Sequence, residues 1–223
     1  FDSPYYPYEK VQSGFSTMDG AELIPTKICR YLLDLPDQNG YVPVDDNNRP
    51  RVKLAKYLWY DEPNPLGKPL PTVEEKLSML FDSDNPVLDT NELKALHPKL
   101  YRLYPIQYWG PSQLIAQTTL KVYVGRVIPS SGISAQIGIN FEIMVNVNLE
   151  NGLKTDAIAK SYAIETALIS ALNGVNIGGV GVMAFNRYEH IESGSTTIYD
   201  DEGVNVGRLL RMSMSWMESG EGI

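Results

Sequence analysis

ISAQIGINFEIMVNVNL, running from Ile133 to Leu149, places an apolar residue at every odd position: Ile133, Ala135, Ile137, Ile139, Phe141, Ile143, Val145, Val147 and Leu149. The even positions hold Ser134, Gln136, Gly138, Asn140, Glu142, Met144, Asn146 and Asn148, all polar or small apart from Met144. Alternation with a period of two predicts a β-strand with one buried face and one solvated face. At about 3.3 Å per residue such a strand spans roughly 55 Å, whereas ordinary strands run for about five or six residues. A strand this long is expected to bend across two sheets, to project as a hairpin arm, or to pair with a neighbouring subunit, because unpaired edges recruit other chains.

The flanking segments supply its partners. Leu120, Val122, Val124 and Ile128 alternate with Lys121, Tyr123 and Gly125, which predicts a strand ending at Pro129. Pro129-Ser130-Ser131-Gly132 then has the composition of a hairpin turn into the long strand. Asn151-Gly152 ends that strand, and residues 155–173 carry Ala157, Ser161, Ile164, Leu168, Ala171 and Leu172 on one helical stripe closed by Asn173-Gly174. This helix is expected to cover one face of the sheet. Val180, Val182 and Ala184 lead into Phe185-Asn186-Arg187-Tyr188 as a third strand, and Val206 to Met217 alternates through Leu210, Met212, Met214 and Trp216. The predicted fold is α+β, an antiparallel sheet of order β-β-α-β-β with a long hairpin and one covering helix.

A compositional break precedes this region. Fourteen of the fifteen prolines lie in the first 111 residues and ten of the fourteen tyrosines in the first 108, so a boundary is expected near Pro111. Residues 1–115 then form a proline-rich, mainly helical wrapping region and residues 116–223 the α/β domain. In the first part, Thr26 is placed to cap a helix through Ile28, Tyr31, Leu32 and Leu33, and Pro50 opens one carrying Val52, Leu54, Leu58 and Trp59. Thr72-Val73-Glu74-Glu75 reads as a capping box ahead of Leu77, Met79, Leu80 and Phe81, and Asp89-Thr90-Asn91-Glu92 as another box before His97-Pro98. Phe1 to Phe15, with Pro4, Pro7, Tyr5, Tyr6 and Tyr8, has neither period and is expected to be an extended arm docked on a surface through its aromatic rings.

Composition narrows the function classes. A formal charge of -8, from 19 Lys and Arg against 27 Asp and Glu, argues against tight binding of a phosphate backbone, while it suits a wall past which DNA slides. Cys29 is the single cysteine, so no internal disulfide framework is expected, and it reads as a small buried hydrophobe rather than a nucleophile. No stretch approaches the roughly 18 apolar residues of a membrane span, and no signal-peptide pattern is present, so a soluble chain without membrane contact is expected.

Candidate chemistry is sparse. Gly179-Val180-Gly181-Val182-Met183-Ala184 has the letters of a dinucleotide fingerprint, but a helix precedes it and a strand follows, the reverse of the order that presents a phosphate to a helix N-terminus. Asp82, Asp84 and Glu92 resemble parts of a calcium loop, but Val87 replaces its glycine and Pro86 a ligand. Asp45-Asp46-Asn47-Asn48 and Asp200-Asp201-Glu202 read as acidic turns. His97 and His190 stand apart from each other and from Cys29, which argues against zinc; His190, between Glu189 and Glu192, reads as a surface residue. No nucleophile elbow, P-loop or H-E-x-x-H is present. No enzyme, cofactor or metal is therefore expected. Arg208 and Arg211 lie on opposite faces of the last strand, so one of them faces the apolar side and needs a partner; Arg126 poses the same question in the first strand.

The elements Leu120 to Pro129, Gly132 to Leu149, Thr155 to Gly174, Gly179 to Tyr188 and Val206 to Met217 resemble, in order, length and hairpin style, the tail terminator and head-to-tail connector proteins of tailed bacteriophages. The helical, proline-rich first half departs from the compact terminators. The resemblance implies a structural virion protein, a homo-oligomeric ring at the head-tail junction that meets other neck or tail proteins and lets genome DNA pass without tight binding. Terminator, connector, collar and baseplate component stay open. Arg126, Val145, Val147, Leu149, Arg208, Arg211, Tyr5, Tyr6 and Tyr8 are the expected subunit-interface residues. From another class, a carbohydrate- or protein-binding module is the alternative, since Tyr and Trp on a solvated sheet face stack on sugars.

Overall fold

The protein is seen here as a computed structural model that describes residues 21–35, 45–81, 101–107, 116–129, 134–150, 158–177, 181–186, 193–200 and 203–217. A 3-10 turn (Ala21–Leu23) leads into α1 (Ile24–Leu32), α2 (Pro50–Trp59) and α3 (Val73–Met79), followed by β1 (Leu103–Tyr104), β2 (Thr118–Pro129) and β3 (Ser134–Asn146). Then come α4 (Val147–Glu150), α5 (Lys160–Leu172), β4 (Met183–Ala184), β5 (Gly194–Tyr199) and β6 (Asn205–Met217). The class is α+β. The sheet has six strands in the order β1-β2-β3-β6-β4, with β5 also on β6, and it is mixed rather than antiparallel because β1 runs parallel to β2.

The long strand lies at the centre of this sheet. Every residue of β3 is registered with β6, from Ser134 opposite Met217 to Asn146 opposite Asn205, and β2 flanks its other side from Thr118 opposite Val145 to Pro129 opposite Ala135. Its length is matched by two partners of the same chain, so none of the three exits expected for an overlong strand is needed. It also stops earlier than the alternation does. At Asn146 the side chain accepts the Asn148 N–H at 3.1 Å and the backbone turns into α4, a single helical turn. That turn returns Leu149 to the core, only 6 % exposed, so the odd-position pattern runs on through a change of secondary structure.

Ala135, Ile137, Ile139, Phe141, Ile143 and Val145 are buried, as the alternation requires. The even side chains are mostly half-buried instead of open, and Gly138 and Asn146 are buried. On a strand paired along both sides, long neighbours close over the even face; Lys121, opposite Glu142 in the register, forms an ion pair with it at 2.5 Å. β2 carries a bulge: Val124 faces Ile139 and Val127 faces Ile137, so Gly125 and Arg126 together span the place opposite Gly138 and β2 holds one extra residue. The bulge shifts the side-chain parity, so Val127, not Ile128, packs against the core. Glycine suits it, because a Cβ at Gly125 would lie 2.6 Å from the Asn140 side-chain nitrogen.

Helices cover one face of the sheet. Odd residues of β3, Leu120 and Val122 of β2, and Leu210, Met212 and Met214 of β6 form one apolar cluster with Ile24, Ile28 and Leu32 of α1, Leu54 and Leu58 of α2, and Ile164, Leu168 and Leu172 of α5. Residues from both sides of Pro111 thus share one core. α2 starts at Pro50 as the sequence suggests, and α3 has the full capping box, with Thr72 accepting from Glu75 N–H and Glu75 accepting from Thr72 N–H. α1 instead begins before Thr26, since Pro25 in its first turn lets the preceding 3-10 turn run straight into the helix. α5 begins at Lys160, later than expected, and ends as expected at Asn173, with Gly174 at a φ of +80°.

The region after α5 differs most. Among the described residues of the expected third strand, only Met183–Ala184 is extended in the sheet, with Met183 buried and Val182 exposed, the reverse of the expected face. Gly181, at a φ of +121°, breaks the extended run just before it. β5 was not expected, since Gly194-Ser195-Thr196-Thr197 lacks an apolar alternation; it is an edge strand with little to bury. The helix expected after Asp89 and the arm of residues 1–15 lie outside the described residues.

Candidate functional site

The two margins of the sheet are built from short strands. On the outer side of β6, β5 occupies Val206 to Arg211 and β4 occupies Ser213 and Met214. Large apolar side chains are exposed there: Val182 at 50 %, Phe185 at 37 % and Tyr199 at 72 %. At the opposite margin β1 pairs with only Leu120 and Lys121 of β2, which is 12 residues long. β2 and β6 both run antiparallel to β3 and so share one direction, while β5 opposes β6. β5 at one margin therefore runs opposite to β2 at the other.

The expected interface residues fall into three groups. Val145, with no exposed surface, and Leu149 belong to the chain's own core, so their apolar character is used within the fold; Val147 is half-buried at the start of α4. Arg208 lies on the helix-covered face and pairs with Glu165 of α5 through its Nε, donates to the Ser195 hydroxyl at 2.9 Å and stacks on Tyr162 at 5.3 Å. The partner that this arginine required is thus intramolecular. Arg211, on the other face, and Arg126, in the bulge, are exposed. Tyr5, Tyr6 and Tyr8 lie outside the described residues.

A set of buried charges went unnoticed in the sequence. Arg102 has no exposed surface; its guanidinium forks onto Asp61 at 2.5 and 2.9 Å and touches the Leu58 carbonyl at 3.4 Å. Lys160, equally buried, donates to the Tyr60 carbonyl at 3.0 Å. Burial pushes its ammonium down to about 7, against the opposing pull of Asp61. Beside it Glu150 accepts the Ser161 N–H at 2.8 Å and hydroxyl at 2.5 Å. Lys56 reaches Asp45 and Asn47, both at 2.7 Å, and the Leu66 carbonyl at 3.3 Å. A faint signal existed: Lys56 and Lys160 sit four residues from Val52 and Ile164, on the inward stripe of their helices. In each network a buried cation is tied to acceptors of its own chain, and Asp45 and Asp61 keep part of their carboxylates in solvent.

The remaining described candidates are engaged within the fold. Cys29 is buried, and burial pushes its thiol pKa far up, away from the reactive thiolate. The turn at Asp45 to Asn48 spends its side chains on Lys56, Leu70 N–H and Asn48 N–H, and Asp200 closes its own turn by accepting from Asn205. Among the described residues no group of three or more His, Cys, Asp or Glu is placed to hold a metal, and no helix is long and apolar enough to cross a membrane. His97, His190, Asp82, Asp84 and Glu92 lie outside those residues. Gly181 to Ala184 does follow a helix and enter a strand, the wrong order for a dinucleotide loop. The chain matches no family model, no curated protein and no solved structure at a significant level.

Proposed function

We propose that this chain is a structural protein of a tailed-phage virion, a subunit of a ring at the head-tail junction through which the genome passes, and that it performs no catalysis. The observation that carries this reading is the pair of sheet margins. A second copy placed head to tail brings its partly covered β2 against β5, and because β5 opposes β2 in direction, the junction is an antiparallel strand pair. Such a heterologous contact closes into a ring when the rotation per subunit divides a full turn. Val182, Phe185 and Tyr199 supply apolar surface at the same margin, and the charge of -8 lets DNA slide past without adhering.

Light scattering and negative-stain electron microscopy of the purified chain test this, with rings as the expected result. Tyr199→Asp and Val182→Asp should leave the circular dichroism spectrum unchanged and abolish the rings. A chain that stays monomeric across the accessible concentration range, or variants that assemble as well as the parent, would overturn the reading.

A further inference from the structure

The corner that joins α5 to β4 begins with Asn173-Gly174, the pair that ends the helix. An asparagine followed by glycine is strongly disposed to cyclise on itself, since no Cβ shields the glycine nitrogen from the neighbouring side-chain carbonyl carbon. Here both reacting groups are tethered. Gly174 N–H donates to the Met183 carbonyl at 2.8 Å, and Asn173 Oδ1 accepts the Phe185 N–H at 2.9 Å. One short segment, Met183 to Phe185, therefore holds the nucleophile and the electrophile of the reaction.

The tether also fixes a geometry that forbids the reaction. Asn173 has φ -64° and ψ 121°, which turns the Gly174 nitrogen away from the Asn173 side chain; ring closure needs ψ to rotate until that nitrogen eclipses Cβ. Such a rotation carries the Gly174 N–H away from Met183. Asn173 itself is exposed, so water and hydroxide reach it once the segment lets go. The segment sits on β6 through Met183 opposite Met214 and Ala184 opposite Ser213, whose hydroxyl reaches the Ala184 carbonyl at 3.4 Å and Asn186 Oδ1 at 3.3 Å. The buried Met183 side chain keeps it shut at rest. So short a ladder at a sheet margin is the kind of unit that opens without global unfolding.

We propose that Asn173 is a gated self-modification site, converted to aspartate and isoaspartate only when the Met183 to Phe185 segment leaves the corner. In the open state the Gly174 nitrogen gives its proton to hydroxide and attacks Asn173 Cγ. The new N–C bond replaces the Cγ–Nδ2 bond, and the amide leaves as ammonia after taking a proton from water. Water then opens the resulting succinimide. Cleavage between Cγ and the Gly174 nitrogen gives aspartate; cleavage between the Asn173 backbone carbonyl carbon and that nitrogen gives isoaspartate. Aspartate keeps an acceptor for the Phe185 N–H. Isoaspartate routes the main chain through Cγ and adds a methylene, so Gly174 no longer returns to Met183 and the opening becomes permanent. The site belongs to this corner of one chain and does not depend on the ring.

Incubation of the full chain at mildly alkaline pH, with and without urea, followed by peptide mapping with mass spectrometry and chromatographic separation of the two products, tests the proposal. Conversion at Asn173 should run at least about tenfold more slowly in the folded chain than in urea, since local protection lowers the reactive population by at least that factor. Gly181→Ala places a Cβ against the Ser215 carbonyl oxygen on a backbone at φ +121°, which pries the segment from β6; Ser213→Ala removes only its side-chain anchor. Hydrogen exchange at the Gly174 amide reads the opening directly. In each variant that keeps the parent circular dichroism spectrum, conversion should rise by the same factor as that exchange. Conversion as fast in the folded parent as in urea, or exchange that accelerates without conversion, would overturn the proposal.

Discussion

Lys160 sits in the first turn of α5 with no exposed surface, and its proton is one that ties the stability of this fold to pH. In the folded chain burial pushes the ammonium down to about 7, whereas the unfolded chain keeps its ordinary value of 10.5. Between those values the unfolded state binds more protons, so stability should rise with pH by up to about 1.4 kcal/mol per unit, and below about 7 this contribution is flat. Denaturant midpoints from pH 7 to 10 in the parent and in Lys160→Met check this; the variant should lose this rising contribution and keep only the pH dependence of the other shifted groups. On the central strand, Phe141→Ala should cost about 3 to 5 kcal/mol through lost contacts and a residual cavity. Asn140→Ala, on the half-buried polar face, should cost far less. Equal losses in urea unfolding would contradict the face assignment.

At the scale of elements, β3 and β6 pair along their whole length, and the junction has one tight point. A Cβ at Gly207 would lie 1.8 Å from the Ile143 carbonyl oxygen, a backbone atom that cannot swing away. Gly207→Ala should therefore cost about 1 to 3 kcal/mol or more as the two strands are forced apart. Gly194→Ala in β5, where the added Cβ meets nothing within 4 Å, should be close to neutral; paired thermal melts separate the two. In α3, Thr72→Ala removes one half of the capping box and should cost about 1 kcal/mol by the same measurement.

For the whole molecule, the shared core has a consequence for both expression and assembly. Leu120, Val122 and Phe141 pack in one cluster with residues of α1 and α2, so residues 116–223 produced alone should expose that apolar face and aggregate or bind a hydrophobic dye. A cooperative unfolding transition from that fragment would contradict this. Val145→Asp, at a site with no exposed surface, should unfold the chain, which makes it uninformative about subunit contacts. Tyr199 and Val182 are the informative positions, because their side chains already face water.

The sequence by itself determined which residues enter the core of the central strands. Alternation at Ala135 to Val145 and at Leu210 to Met214 follows directly from the two-residue period of a strand, and Pro50 and the Thr72 capping box mark helix starts through local hydrogen bonding alone. Tertiary structure decided everything that depends on a distant partner. It ended β3 at Asn146, because one helical turn keeps Leu149 inward as well as an extended strand would. It shifted Val127 into the place expected for Ile128, because a bulge is defined only against the opposing strand. It also gave Arg102, Lys160 and Arg208 their partners Asp61, the Tyr60 carbonyl and Glu165, which lie between 41 and 100 residues away along the chain. A hydrophobic period is a property of neighbours in sequence, whereas pairing, bulges and buried charges are properties of neighbours in space, and those exist only once the sheet and its helices have come together.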